Sequence, residues 1–215
     1  MKSQRNFAVK ILCFLAGCFL LSGCVGVLNP FRSSFFARDI QIGNALEDEG
    51  NFLEAKKRYA MAINEADVNF LKPEDKSCAL YDYGRMCGLL GDFDQAENCL
   101  LQALTLEEES NDPEKEKHIT MRLFELARLY QAWGKDAKSV EYYAKAIPLA
   151  ENQQVDKKEP TAYAIVLEDY AKELERINSS RNAQQVREKA QKIREDNPNA
   201  LVQFPFHYYP SKFAQ

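Results

Sequence analysis

Cys24 is the residue whose position points most directly to chemistry. It follows a basic, acid-free segment over residues 1–10 and an apolar run over residues 11–21, and it comes directly after Ser22 and Gly23. The apolar run is too short for a membrane-spanning helix, which needs about 18 or more residues. A short apolar run that ends in small residues is typical of a secretory signal peptide. We therefore expect cleavage before Cys24, which would leave its thiol beside a new N-terminal amine.

The segment Leu21–Cys24, which reads Leu-Ser-Gly-Cys, resembles the bacterial lipobox. The resemblance implies a signal peptide over residues 1–23, a diacylglycerol group and further acylation on Cys24, and a tether over residues 24–36. Two or more acyl chains give stable membrane anchoring, whereas one chain binds reversibly. Val25 resembles the residue found in lipoproteins of the outer membrane, so we expect a periplasm-facing protein there. The alternative is a plain signal peptide with an incidental cysteine.

Three pairs of opposite charge recur at nearly equal intervals along the chain. The pairs are Asp82 with Arg85, Glu125 with Arg128, and Asp169 with Lys172. In a helix, residues three apart lie on the same face. Tyr81 and Phe124 precede the first two acids. The spacing therefore predicts an acid and a base in register on three successive helices, which could bind a ligand or could simply pair within each helix for a few tenths of a kcal/mol.

The elements that would position these pairs form an internal repeat with spacings of 41 to 44 residues. Each copy has a turn residue, then small, large and alanine positions five, nine and twelve residues later. The copies are Gly50, Ala55, Tyr59, Ala62; Gly91, Ala96, Leu100, Ala103; Gly134, Ser139, Tyr143, Ala146; and, more weakly, Asn178, Ala183, Arg187, Ala190. The segment before each turn also has helical periodicity, with a small residue where a second helix would approach closely.

This pattern resembles the tetratricopeptide repeat (TPR), although the period exceeds the usual 34 residues. The resemblance covers residues 37–196 and implies an all-α, right-handed solenoid of about four helical hairpins. We predict helices over about 37–49, 53–67, 74–90, 93–109, 114–132, 136–151, 160–177 and 181–196. The resemblance also implies a concave face lined by the first helix of each hairpin, where Tyr81, Phe124 and the charged pairs would bind an extended peptide. We expect the three bases to lie exposed on this face, far from the core.

Other chemistries find little support in the sequence. Of 28 basic residues, three lie before Cys24, which leaves 25 against 32 acidic residues and argues against nucleic acid as a partner. The two histidines, His118 and His207, are far apart, and we predict no metal site, cofactor or enzyme activity. Beyond Cys24 three cysteines remain, and we expect them to be reduced and mostly buried. They are Cys78, Cys87 and Cys99.

The last segment, residues 197–215, differs abruptly in composition. It contains five aromatic residues, and Pro205 and Pro210 disfavour a helix. Two interpretations stay open: the tail packs on the solenoid as a cap, or it binds a partner or a groove. Taken together, the sequence predicts a lipid-anchored scaffold that binds protein or peptide partners in an envelope assembly, such as a pilus, secretion, outer-membrane or cell-wall complex. The alternative is a regulatory adaptor that delivers substrates to a periplasmic hydrolase.

Overall fold

The computed structural model describes residues 34–200 and 208–211, and within these residues it contains α-helices and turns but no β-strand. The helices are α1 (Ser34–Asp48), α2 (Phe52–Val68), α3 (Pro73–Leu89), α4 (Phe93–Glu109), α5 (Lys115–Trp133), α6 (Asp136–Asn152), α7 (Val155–Lys158), α8 (Pro160–Arg176) and α9 (Ser180–Asp196). The expected signal peptide, Cys24 and most of the tether lie outside the described residues.

The all-α repeat architecture predicted from the sequence is confirmed. Helices α1 and α2, α3 and α4, α5 and α6, and α8 and α9 pack as four consecutive pairs. All eight predicted helices begin and end within three residues of their predicted positions. The short α7 was not predicted, and it follows Gln154, which has a left-handed backbone with a φ of 58°.

Each pair turns at a residue with left-handed backbone geometry. These residues are Gly50, Gly91, Gly134 and Asn178, with φ of 74°, 83°, 74° and 61°. At the second turn the amide of Gly91 donates to the carbonyl of Gly88 at 3.0 Å, and the amide of Asp92 donates to the carbonyl of Cys87 at 2.9 Å. This arrangement satisfies the last carbonyls of the first helix and requires a positive φ, which glycine adopts at no steric cost and asparagine tolerates.

The small residues before each turn let the two helices of a pair approach closely. A methyl group on Gly43 would lie 2.5 Å from the ring of Tyr59, and one on Gly84 would lie 3.0 Å from Leu100. The alanines on the facing helices are fully buried, including Ala96 at 0% exposure. Because no larger side chain fits at Gly43 or Gly84, these two positions fix which side of α1 and of α3 packs against the second helix of its pair.

Replacing Gly91 with Ala should lower the free energy of unfolding by about 1–2 kcal/mol. A side chain at this position would meet no atom within 4 Å, so the cost comes from the positive φ rather than from a clash. Urea unfolding followed by circular dichroism measures the change. The converse variant, Asn178→Gly, should be slightly more stable than wild type. A Gly91→Ala protein as stable as wild type would contradict the assigned turn geometry.

Candidate partner-binding face

The three charged pairs predicted from the sequence form within their helices, one pair on each of α3, α5 and α8. Arg85 lies 3.5 Å from Asp82, Arg128 lies 3.3 Å from Glu125, and Lys172 lies 2.8 Å from Asp169. We call the surface that carries them the first-helix face. It consists of Glu47, Tyr81, Asp82, Arg85, Gly88, Glu125, Arg128, Leu129, Asp169 and Lys172.

The pairs are far more buried than the sequence led us to expect. Asp82, Glu125 and Asp169 are only 6–7% exposed. The side chains of Arg85 and Arg128 are 20% and 14% exposed, and Lys172 alone, at 56%, projects into solvent. The expectation that all three bases lie far from the core was therefore wrong. Each acid is buried, and in the first two pairs the base is largely buried with it, because an unpaired buried carboxylate would be costly.

Arg85 joins the first two repeats through a residue that the sequence interpretation missed. Its guanidinium binds the carboxylate of Glu47 on α1 through both terminal nitrogens, one of them at 3.2 Å. The hydroxyl of Tyr59 donates to the same carboxylate at 3.2 Å and lies 2.8 Å from Asn44. Glu47 has no base three residues later, so it does not fit the repeated pattern of an acid followed by a base.

Asp82 has little access to water and competes with Glu47 for the same arginine. Burial raises the pKa of its carboxyl to about 7, although the charge of Arg85 opposes the shift. The ordinary pKa is 3.8. Near neutral pH, the protonated and ionised forms of Asp82 are therefore present in similar amounts. The charge of the first-helix face changes with pH in this range.

The two predicted aromatic residues occupy different environments. Tyr81 is buried, and its ring lies between two guanidinium groups, 5.6 Å from that of Arg85 and 5.1 Å from that of Arg122. Phe124 is half-buried and packs on the ring of Tyr143 at a centroid distance of 6.4 Å. Tyr81 therefore links the face to the buried charges beneath it, whereas Phe124 contacts the second helix of its own pair and also packs against the apolar cluster of α6 and α8.

A buried ionic network lies behind Tyr81 and joins α3, α4 and α5. Arg122 is fully buried and pairs with Glu107 at 2.9 Å, and its Nε donates to the hydroxyl of Ser77 at 3.0 Å. The imidazole of His118 lies 3.2 Å from Glu107. Burial alone would raise the pKa of Glu107, but the hydrogen bond from His118 and the charge of Arg122 bring that pKa below its ordinary value. Sequence reasoning did not find this network because Glu107 begins a run of three acids and His118 follows a charged segment, a pattern typical of a solvent-exposed surface.

The same region brings together Glu107, Asp112 and His118, whose ligand atoms lie within 4.8 Å of one another. In the described part of the chain this is the one such group of potential metal ligands. Arg122 already supplies a positive charge to Glu107 at 2.9 Å, and a metal ion would have to compete with it. The arrangement therefore favours a structural ionic network over a metal centre.

Part of the C-terminal tail lies on the first-helix face. Residues 208–211 have no helix or strand, and Tyr209 is only 9% exposed. Its hydroxyl donates a hydrogen bond to the carboxylate of Glu125, and its ring lies 5.8 Å from the guanidinium of Arg128. Tyr208, in contrast, is 62% exposed. Of the two interpretations of the tail that the sequence left open, the described segment fits the one in which it occupies a groove.

The three remaining cysteines are buried, as expected. Cys78, Cys87 and Cys99 are 8%, 0% and 3% exposed. Burial raises the pKa of the Cys87 thiol to about 11 and raises that of Cys99 above its ordinary value. These cysteines therefore serve as small apolar side chains in the core, and a neutral thiol of this kind is a poor nucleophile.

Comparison with known proteins agrees with the geometry. Residues 75–152 match the family model described as the tetratricopeptide repeat. No curated protein sequence matches the chain. The match covers helices α3 to α6, the two central pairs of a TPR-like solenoid.

The fold is similar to that of several solved structures. The structure of BtubC (BKLC) from P. vanneervenii has a TM-score of 0.69 and 13% identity, over 80% of this chain and 68% of that one. The structure of the nearly identical TPR-like repeats of a Podosopora anserina kinesin light chain has a TM-score of 0.58 and 17% identity, over 80% and 82%. Identities this low establish the similarity of fold alone. None of the helices in the described ranges has the length and hydropathy needed to cross a membrane.

Replacing Asp82 with Asn should make the protein less sensitive to pH. The pKa of Asp82 is about 7 in the folded protein and 3.8 in the unfolded chain. Between these two pH values, the Asp82 carboxyl of wild type is protonated in the folded state but ionised in the unfolded state. The stability of wild type relative to the variant is therefore greatest below pH 4 and falls by up to about 1.4 kcal/mol per unit as the pH rises towards 7. Unfolding free energies of both proteins between pH 5 and 8 measure this.

Glu97→Gln is the control for this pH experiment. Although burial opposes the shift, hydrogen bonds from Lys138 and Tyr130 hold the pKa of Glu97 below its ordinary value of 4.5. The carboxyl is then ionised in both the folded and the unfolded states above pH 5, so the difference from wild type should stay constant. A constant difference for Asp82→Asn as well would show that Asp82 is ionised throughout.

Proposed function

We propose that this protein is a scaffold of the bacterial cell envelope, anchored by lipid on Cys24, that binds an extended segment of a protein partner on the first-helix face. The observation that carries the proposal is the register of the three charged pairs on α3, α5 and α8. The pairs lie on the first helices of three successive repeats, so an extended segment that crosses these helices could contact all three of them.

The composition of the face supports peptide binding. The guanidinium groups of Arg85 and Arg128 remain partly exposed, at 20% and 14%, and provide fixed hydrogen-bonding groups. Lys172, at 56% exposure, and Tyr208, at 62%, present a polar rim to solvent. Peptide-binding surfaces commonly combine desolvated aromatic and arginine anchors with a polar rim. The tail segment 208–211 also supports the proposal, because it places an irregular stretch of chain on this face.

The anchor would hold this face close to the membrane. The sequence predicted a tether up to residue 36, but α1 begins at Ser34, so the chain between the lipidated cysteine and the first helix is residues 25–33 and spans at most about 32 Å when fully extended. A scaffold held this close would bind partners that belong to an envelope assembly. The lipobox-like Leu21–Cys24 and Val25 support lipid attachment and an outer-membrane location facing the periplasm.

The Cys24→Ala variant tests the anchor. The variant has no thiol to receive diacylglycerol, so we expect it to remain an unprocessed precursor or to leave the membrane fraction. Labelling of cells with a fatty-acid analogue, followed by fractionation, measures both outcomes. Cys87→Ala, which removes a buried thiol, should retain full labelling. A Cys24→Ala protein that is processed, labelled and membrane-bound like wild type would contradict the lipoprotein assignment.

Site-specific photo-crosslinking in intact cells tests partner binding. A photoreactive residue at Lys172 should give an adduct of higher mass than the chain, because this position is exposed at the edge of the first-helix face. Lys145 is a matched control: its side chain is 53% exposed and pairs with Glu141 on α6, a second helix. We expect at least tenfold less adduct there, since bound partners shield a contiguous interface of limited size.

The pattern of adducts shows whether a partner binds on the first-helix face. Equal adducts at Lys172 and Lys145, or adducts at Lys145 alone, would contradict binding on the first-helix face. The identity of a protein captured at Lys172 also separates the two functions that the sequence left open. A component of an envelope assembly would support the scaffold, and a periplasmic hydrolase would favour the adaptor that delivers substrates to such an enzyme.

A further inference from the structure

We propose that the tail segment containing Tyr209 is a built-in ligand of the first-helix face, and that a partner binds by displacing it with a tyrosine of its own. This inference rests on the proposed function for the partner, but the occupancy of the face by the tail can be measured independently. The site that holds the Tyr209 ring, which we call the seat, lies between α3 and α5 and is formed by Gly88, Glu125 and Arg128. It suits an aromatic side chain that bears a hydroxyl group.

The chemistry of the seat is provided by α5. Glu125 is 6% exposed and accepts a hydrogen bond from the hydroxyl of Tyr209, while Arg128 pairs with the other carboxylate oxygen at 3.3 Å. The same guanidinium lies 5.8 Å from the centre of the Tyr209 ring. Burial, and secondarily the charge of Glu125, raise the pKa of Tyr209 well above its ordinary value, so the tyrosine remains a neutral hydrogen-bond donor.

The shape of the seat is provided by α3. A methyl group on Gly88 would lie 2.5 Å and 2.9 Å from two ring carbons of Tyr209, and 3.1 Å from Leu129. The ring thus lies directly against the backbone of α3, in space that any other residue at position 88 would fill. Gly88 is the last-but-one residue of α3, and the seat explains why glycine occupies it, because the Cβ of any other residue would overlap the Tyr209 ring.

Within residues 208–211, Tyr209 is the one buried side chain. Tyr208 is 62% exposed and lies 5.7 Å from the guanidinium of Arg128, on the open side of the face. Residues 208–211 form no helix or strand, so this segment is not held by a backbone ladder. A buried side chain held in this way can be exchanged for the same side chain on another segment.

The hydroxyl group should determine which segment can replace the tail. A phenylalanine would fill the ring space but leave the buried carboxylate of Glu125 without its donor. Sites built to hydrogen-bond a hydroxyl discriminate strongly against the analogue that lacks it. The geometry therefore favours tyrosine over phenylalanine in the displacing partner.

Chemical modification measures whether the tail occupies the seat. In the full-length protein, a tyrosine-selective triazolinedione reagent should modify Tyr208 at least tenfold faster than Tyr209, as read by fragmentation of the C-terminal peptide in a mass spectrometer. In the Gly88→Ala protein, the added methyl group should expel the ring and raise the reactivity of Tyr209 to that of Tyr208. Equal reactivity of the two tyrosines in folded wild type would overturn the proposal.

Binding of the tail in trans measures whether the ligand can be exchanged. A labelled peptide of residues 199–215 should bind the full-length Tyr209→Ala protein at least tenfold more tightly than wild type or Tyr208→Ala, because an intact tail competes at a high effective concentration. A peptide with Phe at position 209 should bind about tenfold more weakly than the native peptide. Adding Gly88→Ala to Tyr209→Ala should abolish binding while circular dichroism shows unchanged helicity.

The results separate this inference from the proposed function. Two results would overturn the proposal of an exchangeable ligand. Either wild type binds the peptide as tightly as Tyr209→Ala does, or a folded Tyr209→Ala protein does not bind the peptide. In that case crosslinking at Lys172 could still capture a partner, and the proposed scaffold function would not be contradicted. Protected Tyr209 and peptide exchange without any crosslinked partner would instead support the tail ligand and count against the scaffold.

Discussion

The first-helix face contains four carboxylates that have almost no access to water, and each of them must be stabilised by a positive charge or by a raised pKa. Glu47, Asp82, Glu125 and Asp169 are each less than 9% exposed. A buried carboxylate is stable only when it is paired and hydrogen-bonded, or when its pKa rises until it is neutral. The structure uses both solutions, since each of the four has an arginine or lysine within 3.5 Å and Asp82 also has a pKa of about 7.

This requirement ties the binding face to the rest of the solenoid. Arg85 must reach Glu47 across the first two repeats, and Arg122 compensates Glu107 beneath Tyr81. Removing one member of such a pair costs about 3–5 kcal/mol, whereas an apolar replacement of both can be neutral. The ionic groups therefore contribute more to the relative positions of successive first helices than to net stability. A fixed spacing of these helices is what allows an extended segment to contact several repeats at once.

Much of the fold could be predicted from the sequence because the repeat specifies it locally. The turn residues Gly50, Gly91, Gly134 and Asn178 mark positions that require a positive φ, and the small residues at Gly43 and Gly84 mark close helix contacts. Both signals are visible in the order of residues alone. The charged pairs three residues apart were predictable for the same reason, since their spacing within one helix is set by helical geometry.

The features that could not be predicted from the sequence depend on contacts between distant parts of the chain. Tyr209 meets Glu125 across 84 residues, and Arg85 meets Glu47 across 38. No local pattern marks these partners, and the burial of Arg85 and Arg128 follows from how the repeats stack rather than from their positions in the helix. The reason for a glycine at position 88 is likewise visible only beside the ring of Tyr209.

A double-mutant cycle between Tyr209→Phe and Glu125→Ala tests the central claim, which is that a buried acid of the first-helix face binds the hydroxyl of the tail. The free energies of unfolding of wild type, both single variants and the double variant give the coupling between the two side chains. The account predicts a coupling of at least about 1 kcal/mol, as expected for a hydrogen bond to a buried charged group. Effects that add to within about 0.5 kcal/mol would contradict it.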